Sequence, residues 1–179
     1  EIILYYKYTP VENAKILWQE QKKLCEDLSL TGRLLIASEG INGTLEGLKE
    51  NIDKYCRDLI ARPGFEDVVF KRSPGTGHAF PKLKVKLRNE IVSAHLGDDD
   101  VKPYQVTGKR LSADELEKWR QEGRDFVIVD MRNDYEYKVG HFENSINPRM
   151  KNFRDLPQIT KDIKSKLQNK TVVTVCTGG

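Results

Sequence analysis

Apolar and polar residues alternate along the first half of the chain with two different periods. Runs rich in β-branched and aromatic residues predict four strands, at 2–9, 32–38, 41–47 and 67–73. Apolar positions spaced three or four residues apart predict two helices, at 11–29 and 48–61. The order β-α-β-β-α-β predicts an α+β ferredoxin-like domain, which an alternating strand at 82–92 extends. We therefore expect a first domain over residues 1–92.

The pattern changes after residue 92. Residues 93–107 combine three consecutive aspartates with a proline and have no periodicity, which predicts a linker between domains. The following residues predict a helix from a capping box at Ser112 to Trp119, a buried strand Phe126–Asp130, a helix at 156–167 and a strand at 171–175. Strands alternating with helices predict a parallel α/β domain over residues 108–179. Because its sheet would stop directly after a central strand, we expect this domain to be truncated at its C-terminus.

Composition limits the class of protein only broadly. Thirty basic and 27 acidic residues give a net charge of +3, too small to indicate a partner. No apolar run approaches the ~20 residues of a membrane-spanning helix. Three widely spaced cysteines without a C-x-x-C pair disfavour a disulfide framework and a zinc site, and favour a reducing cytosol. Cys25 and Cys56 fall on the apolar stripes of the two predicted helices, so we expect both in the core.

The third cysteine, Cys176, directly follows the last predicted strand and precedes a Thr-Gly-Gly turn. Glycines allow backbone N–H groups to converge on one point, and converging donors stabilise a thiolate. Asp130 and Arg132 follow the other predicted strand of this domain, and ligands of open parallel sheets bind beyond the carboxyl ends of strands. The residues alone leave two interpretations of Cys176 open, a nucleophile and a buried structural cysteine.

A basic segment lies between residues 71 and 88, with six Lys or Arg, one His and no acid. In its second half Lys82, Lys84, Lys86 and Arg88 alternate with apolar residues, so the four cations share one face of a strand. Such a face suits a phosphate backbone. It equally suits a solvated strand whose lysines discourage edge-to-edge aggregation, and both interpretations stay open at this point.

Several motifs identify a family. The second domain resembles the rhodanese domain in the segments VDMRNDYEYKVGHFENSINP and VVTVCTGG. Nearly the whole chain resembles the rhodanese-related tRNA uridine hydroxylases, through the segments LCEDLSLTGRLLIASEGINGTLEG, GHAFPKLKVKLRNEIV and RNDYEYKVGHF. The resemblance implies an acylphosphatase-like domain before a rhodanese domain, in a bacterial, cytoplasmic enzyme that 5-hydroxylates uridine 34 of tRNA.

The resemblance also implies roles for individual residues. Cys176 is expected to be the active cysteine and to hold a persulfide, in a loop formed by Thr177, Gly178 and Gly179. The expected supporting residues, which brace that loop, are Asp130, Arg132, Glu136 and His141. Because the resembled family acts on tRNA, the resemblance makes contact with RNA the favoured interpretation of Lys82, Lys84, Lys86 and Arg88. Molecular oxygen is the implied co-substrate and tRNA the implied partner; no cofactor motif, metal set or protein partner is recognisable.

Two departures and two alternatives accompany the resemblance. Asn144-Ser145 stands where rhodanese domains usually have a small Gly-Ala pair, and the sequence stops before the arginine that ends a rhodanese loop. In the segment SEGINGT, turn chemistry explains Glu39 and Asn42, which are also candidates for contact with RNA or the second domain. The alternative functions are a sulfurtransferase that carries sulfane sulfur on Cys176, and a non-catalytic RNA-binding module.

Overall fold

The computed structural model describes residues 1–92 and 102–177, which form two compact units. The first contains Glu1–Val92 together with Lys102–Tyr104, and the second contains the described residues from Gln105 onward. Residues 93–101 of the predicted linker 93–107 lie outside the described residues. No helix in the described ranges is long and apolar enough to cross a membrane.

The first unit is an α+β sandwich of one sheet and two helices. Its strands are β1 (Ile2–Tyr8), β2 (Thr31–Ala37), β3 (Gly40–Glu46), β4 (Lys71–Ser73) and β5 (Leu83–Leu87). Its helices are α1 (Ala14–Asp27) and α2 (Lys49–Ile60). The sheet order is β4-β1-β3-β2-β5. The pairs β4–β1, β1–β3 and β3–β2 are antiparallel, and β5 runs parallel to β2. The predicted ferredoxin-like arrangement is confirmed, with β5 as an added edge strand.

Two predicted strands are longer than the real ones. The strand predicted at 67–73 is paired only over Lys71–Ser73, because the chain from Phe65 to Val68 forms a turn in which Val68 N–H donates to the Phe65 carbonyl. Phe65 and Val68 are apolar because they pack into the core from this turn. The strand predicted at 82–92 ends at Leu87.

The core of the first unit lies between the sheet and the two helices. Alternate strand residues point toward it, among them Ile3, Tyr5, Leu34, Ile36, Ile41 and Leu45. The helices contribute Leu17, Cys25, Ile52, Tyr55, Cys56 and Leu59. The intervening strand residues therefore point to the opposite side of the sheet, which neither helix covers.

Cys25 and Cys56 lie in this core, as their spacing predicts. Burial raises the pKa of the Cys25 thiol to about 12 and that of Cys56 to about 11, so neither is a nucleophile near neutral pH.

We expect Cys25→Ser to lower the free energy of unfolding by about 1–3 kcal/mol, because it places a hydroxyl among apolar neighbours. Cys56→Ser should cost less, since Arg72 Nη2 lies 3.6 Å from Cys56 Sγ and can donate to a hydroxyl in its place. Denaturant titration of the two variants measures whether Cys25→Ser loses more free energy of unfolding than Cys56→Ser. Equal stability of both variants and the original chain would contradict it.

The second unit contains two parallel strands and three helices in its described part. The strands are β6 (Phe126–Asp130) and β7 (Thr171–Val175). The helices are α3 (Ala113–Gln121), α4 (Asp134–Val139) and α5 (Leu156–Leu167), with a 3₁₀ turn at Phe153–Asp155 before α5. The predicted parallel α/β pattern is confirmed. Helix α4 is a correction, because the sequence pattern predicts only loop between β6 and α5.

Candidate functional site

The two strands of the second unit end side by side. Asp130, the last residue of β6, is paired with Val175, the last residue of β7. Met131 N–H donates to the Val175 carbonyl at 2.8 Å, which extends the pairing by one bond. Cys176 follows directly and is exposed. The structure therefore places Asp130, Arg132 and Cys176 at one carboxyl edge of a parallel sheet, where ligands of such sheets bind.

Asp130 and Arg132 form a two-pronged ion pair behind this edge. Arg132 Nε and Nη2 donate to the two carboxylate oxygens of Asp130 at 2.9 and 2.7 Å, and the Arg132 backbone N–H donates to Oδ1 at 3.1 Å. The Asp130 side chain is fully buried. The hydrogen bonds from Arg132 lower the pKa of Asp130 against the opposing effect of burial. Asp130 is thus a buried anion that orients Arg132.

Arg132 connects this pair to the following loop and to the cysteine. Its Nη2 also donates to the Gly140 carbonyl at 2.6 Å, next to His141. The hydrogen bond to Asp130 is the main cause of its raised pKa, and the negative charge of a Cys176 thiolate adds to it. Arg132 therefore joins Asp130 to the loop at residues 140–141 and lies within electrostatic reach of Cys176.

Glu136 reaches the cysteine turn directly. Its Oε1 accepts a hydrogen bond from Thr177 Oγ1 at 2.6 Å, and its Oε2 accepts from the backbone and side-chain N–H groups of Asn133 at 3.1 Å. Burial raises the pKa of Glu136, but these donors outweigh it and the pKa is lowered. Glu136 lies in the first turn of α4, and its carboxylate holds Thr177, the residue after Cys176, in place. Gly178 and Gly179 lie outside the described residues.

His141 contacts Tyr137. Its ring stacks on the Tyr137 ring with centroids 3.8 Å apart and planes at 10°, and Nδ1 donates to the Tyr137 carbonyl at 2.9 Å. Tyr137 O–H donates to the Ser145 carbonyl at 3.0 Å. Tyr137 thus braces the loop that carries Gly140, His141 and Ser145, a role that the sequence motifs do not assign to it.

A sequence signal for α4 does exist. Asn133 is followed three residues later by Glu136, which is the spacing of an N-terminal capping box. One half of that box is formed, because the Glu136 carboxylate accepts a hydrogen bond from the Asn133 backbone N–H as well as from its side chain. The signal could have located α4 and, with it, the placement of Glu136 and Tyr137 on one short helix.

The departure at residues 144–145 has a structural explanation. Asn144 has φ of 59°, in the left-handed region that favours glycine. Asparagine tolerates this region better than other non-glycine residues. The substitution is therefore compatible with the same backbone turn.

An open hollow lies beside α4 in the second unit, with a volume of about 620 Å³. It is lined by Asp134, Tyr137, Lys138, His141, Asn147 and Arg149. Asp134 accepts one hydrogen bond from Asn147 and forms an ion pair with Lys138, so its carboxylate is already occupied. Within residues 1–92 and 102–177, no three His, Cys, Asp or Glu side chains are grouped as a metal would require.

The basic segment of the first unit lies on β5, at the edge of the sheet. Lys82, Lys84, Lys86 and Arg88 are all exposed, while Leu83 and Val85 pack against the core. Leu87 departs from the expected alternation, because it is 42% exposed. Among the described residues the four cations make no ion pair.

Glu39 and Asn42 bind the chain that follows β5. Glu39 Oε1 accepts a hydrogen bond from Ile91 N–H at 2.7 Å, and Asn42 Nδ2 donates to the Ile91 carbonyl at 3.1 Å. Ile91 is buried. The SEGINGT segment therefore fastens residue 91 to the β2–β3 hairpin, a structural role beyond the turn itself.

Comparison with known proteins matches both units. Residues 1–91 match the UPF0176 acylphosphatase like domain, and residues 112–179 match the rhodanese-like domain. A bacterial light-regulated adenylyl cyclase of known structure is similar over 68% of this chain and 33% of its own, with 16% identity and a TM-score of 0.41, too low to support an argument.

Two similar curated proteins share one name. The chain is 45% identical over 178 residues to the tRNA uridine(34) hydroxylase of Bacillus licheniformis and 45% identical over 180 residues to that of Shouchella clausii. In both cases the match covers 99% of this chain and 55% of the relative, so the chain spans about half the length of these curated relatives. The chain belongs to the family in which a UPF0176 acylphosphatase-like domain precedes a rhodanese-like domain, the family of the proteins named tRNA uridine(34) hydroxylase.

Proposed function

We propose that this chain is part of a tRNA-modifying enzyme that hydroxylates uridine 34 at C5, with molecular oxygen as co-substrate and Cys176 as the active cysteine. The observation that carries the proposal is the 45% identity over 99% of the chain to proteins named for this activity. Because tRNA is the substrate, the proposed location is the cytoplasm.

The geometry of the second unit supports a reactive cysteine. Cys176 is exposed at the end of β7, Arg132 lies close enough to interact with its charge, and Glu136 holds the next residue through the Thr177 hydroxyl. Asp130 keeps the guanidinium in position. These are positioning residues, and the sulfur of Cys176 is the atom proposed to carry a persulfide.

Nucleoside mass spectrometry of tRNA tests the proposal. Cells that lack the gene should lose 5-hydroxyuridine derivatives at position 34, and the intact gene should restore them. Loss of thiolated nucleosides instead would indicate a sulfurtransferase. Unchanged levels of both 5-hydroxyuridine derivatives and thiolated nucleosides would contradict an enzymatic role in tRNA modification.

The basic strand β5 is proposed to contact tRNA phosphates. Replacing Lys84 and Lys86 with glutamine should flatten the dependence of log K on log salt by roughly 1.4 to 1.8, the loss of two phosphate contacts. Thermal stability should hardly change, because exposed charges contribute little to it.

The matched control is Lys15→Gln with Lys54→Gln, which removes two exposed lysines from α1 and α2 instead. Its salt dependence should equal that of the original chain. Equal slopes for all three proteins would mean that β5 is only a solvated strand.

A further inference from the structure

The excess positive charge of the chain lies in one segment of the second unit. Residues 149–170 contain seven Lys or Arg and two Asp, whereas the rest of the chain contains 23 basic and 25 acidic residues. The segment is therefore the source of the net charge of +3. It starts at Arg149, beside α4, and runs through α5 to Lys170, the residue before β7. A local excess of one sign makes a surface attract ions of the opposite sign.

The two acids of this segment do not neutralise its cations. Asp155 accepts hydrogen bonds from the backbone N–H groups of Lys151 and Asn152 at 3.2 and 3.0 Å. Asp162 accepts one from the Gln158 side chain at 3.0 Å. Among the described residues, none of the seven cations has a salt-bridge partner. On α1 and α2, by contrast, three lysines each pair with an acid four residues later.

Backbone contacts place the start of the segment next to α4. The Asp134 N–H donates to the Met150 carbonyl at 2.8 Å, and Asn147 Nδ2 donates to Asp134 Oδ1 at 3.0 Å. Asp134 is the first residue of α4, and Glu136, which holds Thr177, projects from the opposite side of this helix. The residues on either side of Met150 therefore lie across α4 from the cysteine turn, about 10 Å or one helix diameter away.

Arg149 lines the hollow beside α4 and gives it a net positive charge. Within the hollow, the carboxylate of Asp134 is balanced by the ammonium of Lys138 at 2.5 Å. The hydrogen bonds from Lys138 and Asn147 are the main causes of the lowered pKa of Asp134, and the charge of Arg149 adds to them. The guanidinium of Arg149 is left to act on an anion from solvent.

The backbone of Arg149 has a conformation that favours glycine. Its φ is 58°, and its N–H donates to Asn147 Oδ1 at 2.7 Å. Its neighbours Pro148 and Met150 are both buried. Glycine adopts this conformation at no steric cost, whereas a residue with a Cβ is strained in it, so the turn alone gives no reason for an arginine. Strain of this kind is retained where a residue has a function, and here the side chain is an exposed guanidinium.

We propose that Arg149, Lys151 and Arg154 bind backbone phosphates of the tRNA strand that carries the target uridine. All three side chains are exposed, and they lie in the loop and 3₁₀ turn that precede α5. A guanidinium offers a phosphate two parallel N–H donors, and each cation complements the charge of a polyanion. The inference rests on the proposed tRNA substrate and on Cys176, and it adds the surface of the second unit that holds the RNA backbone.

The test is fluorescence anisotropy of the 179-residue chain with an anticodon-arm hairpin over a series of salt concentrations. Replacing Arg149, Lys151 and Arg154 together with glutamine should flatten the dependence of log K on log salt by roughly 2, the loss of three single-strand phosphate contacts. Lys170→Gln is the matched control, because Lys170 is also exposed but precedes β7, about 20 Å from Cys176 along that strand. Its salt slope should equal that of the original chain.

Arg149→Gly separates the role of the side chain from that of the turn. Because glycine fits the φ of residue 149, this variant should melt within a few degrees of the original chain while its salt slope falls by about 0.7. Arg149→Lys, which keeps the charge, should keep the slope. A hairpin whose loop linkages are neutral methylphosphonates should bind the original chain and Arg149→Gly equally, since the contacted phosphates have then lost their charge.

Three results would overturn the proposal. The first is an unchanged salt slope in the triple variant or in Arg149→Gly, and the second is a loss in Arg149→Gly that persists with the neutral loop. The third is a loss of slope in Lys170→Gln equal to that in Arg149→Gly, which would mean general attraction to a basic segment. These measurements concern binding alone, whereas failure of the proposed hydroxylation would appear as unchanged nucleosides in cells without the gene.

Discussion

Cys176→Ser is expected to abolish formation of 5-hydroxyuridine in tRNA when the variant replaces the intact gene in cells. A serine hydroxyl is not ionised near neutral pH and cannot form a persulfide, so the proposed reactive sulfur is lost. The fold should be retained, because Cys176 is exposed and lies after the last paired residue of β7. The measurement is nucleoside mass spectrometry, with circular dichroism of the purified variant as the check on folding.

Cys25→Ser and Cys56→Ser are the matched controls, because both thiols are buried and have raised pKa values. Both variants should keep the modification under conditions where they stay folded. Limiting iodoacetamide should label Cys176 before either of them. Modified tRNA at the original level from Cys176→Ser would refute the catalytic assignment.

Arg132→Leu is expected to lower the melting temperature of the second unit by more than about 10 °C at neutral pH. The substitution leaves the carboxylate of Asp130 buried without its two strongest donors, and breaking a buried pair on one side is among the costliest single changes. Lys138→Gln is the control, since it removes an ion pair to Asp134 whose lysine is 72% exposed. That variant should melt within a few degrees of the original chain.

The effect of Arg132→Leu should depend on pH with a definite sign. In the original chain the pKa of Asp130 is lowered, so its contribution to stability is present above the ordinary carboxyl pKa of about 4 and is lost as the pH falls through the folded value. In the variant, burial favours the neutral acid. The difference between the two melting temperatures should therefore shrink as the pH falls toward about 4. A constant difference across that range would show that lost packing, not the buried charge, causes the destabilisation.

The local pattern of residues was sufficient for much of the fold. Strand and helix periods are properties of neighbouring residues, so the β-α-β-β-α-β order, the two core cysteines and the parallel strands β6 and β7 could be predicted. Val68 lies in a turn and is apolar because it packs into the core, so the pattern predicted a strand that is too long. The helix α4 was missed because its one signal, the spacing of Asn133 and Glu136, is short.

The sequence indicated which residues belong to the candidate site, but it did not indicate which of them contact each other. Motif and strand position marked Asp130, Arg132, Glu136 and Cys176, because strand ends are visible in sequence. The hydrogen bond from Thr177 to Glu136 joins residues 41 apart, and only the pairing of β6 with β7 and the placement of α4 bring them together.

The surroundings of the basic strand β5 depended still more on tertiary structure. Alternation shows that the Lys84 and Lys86 side chains share a side of their strand, and nothing more. Only the sheet order, with β5 parallel to β2 and β1 antiparallel to β3, sets them in rows with Arg33 and Tyr6. The composition of each strand is local information, whereas the neighbours of a strand are chosen by long-range packing of the two helices on the other face, which no periodicity records.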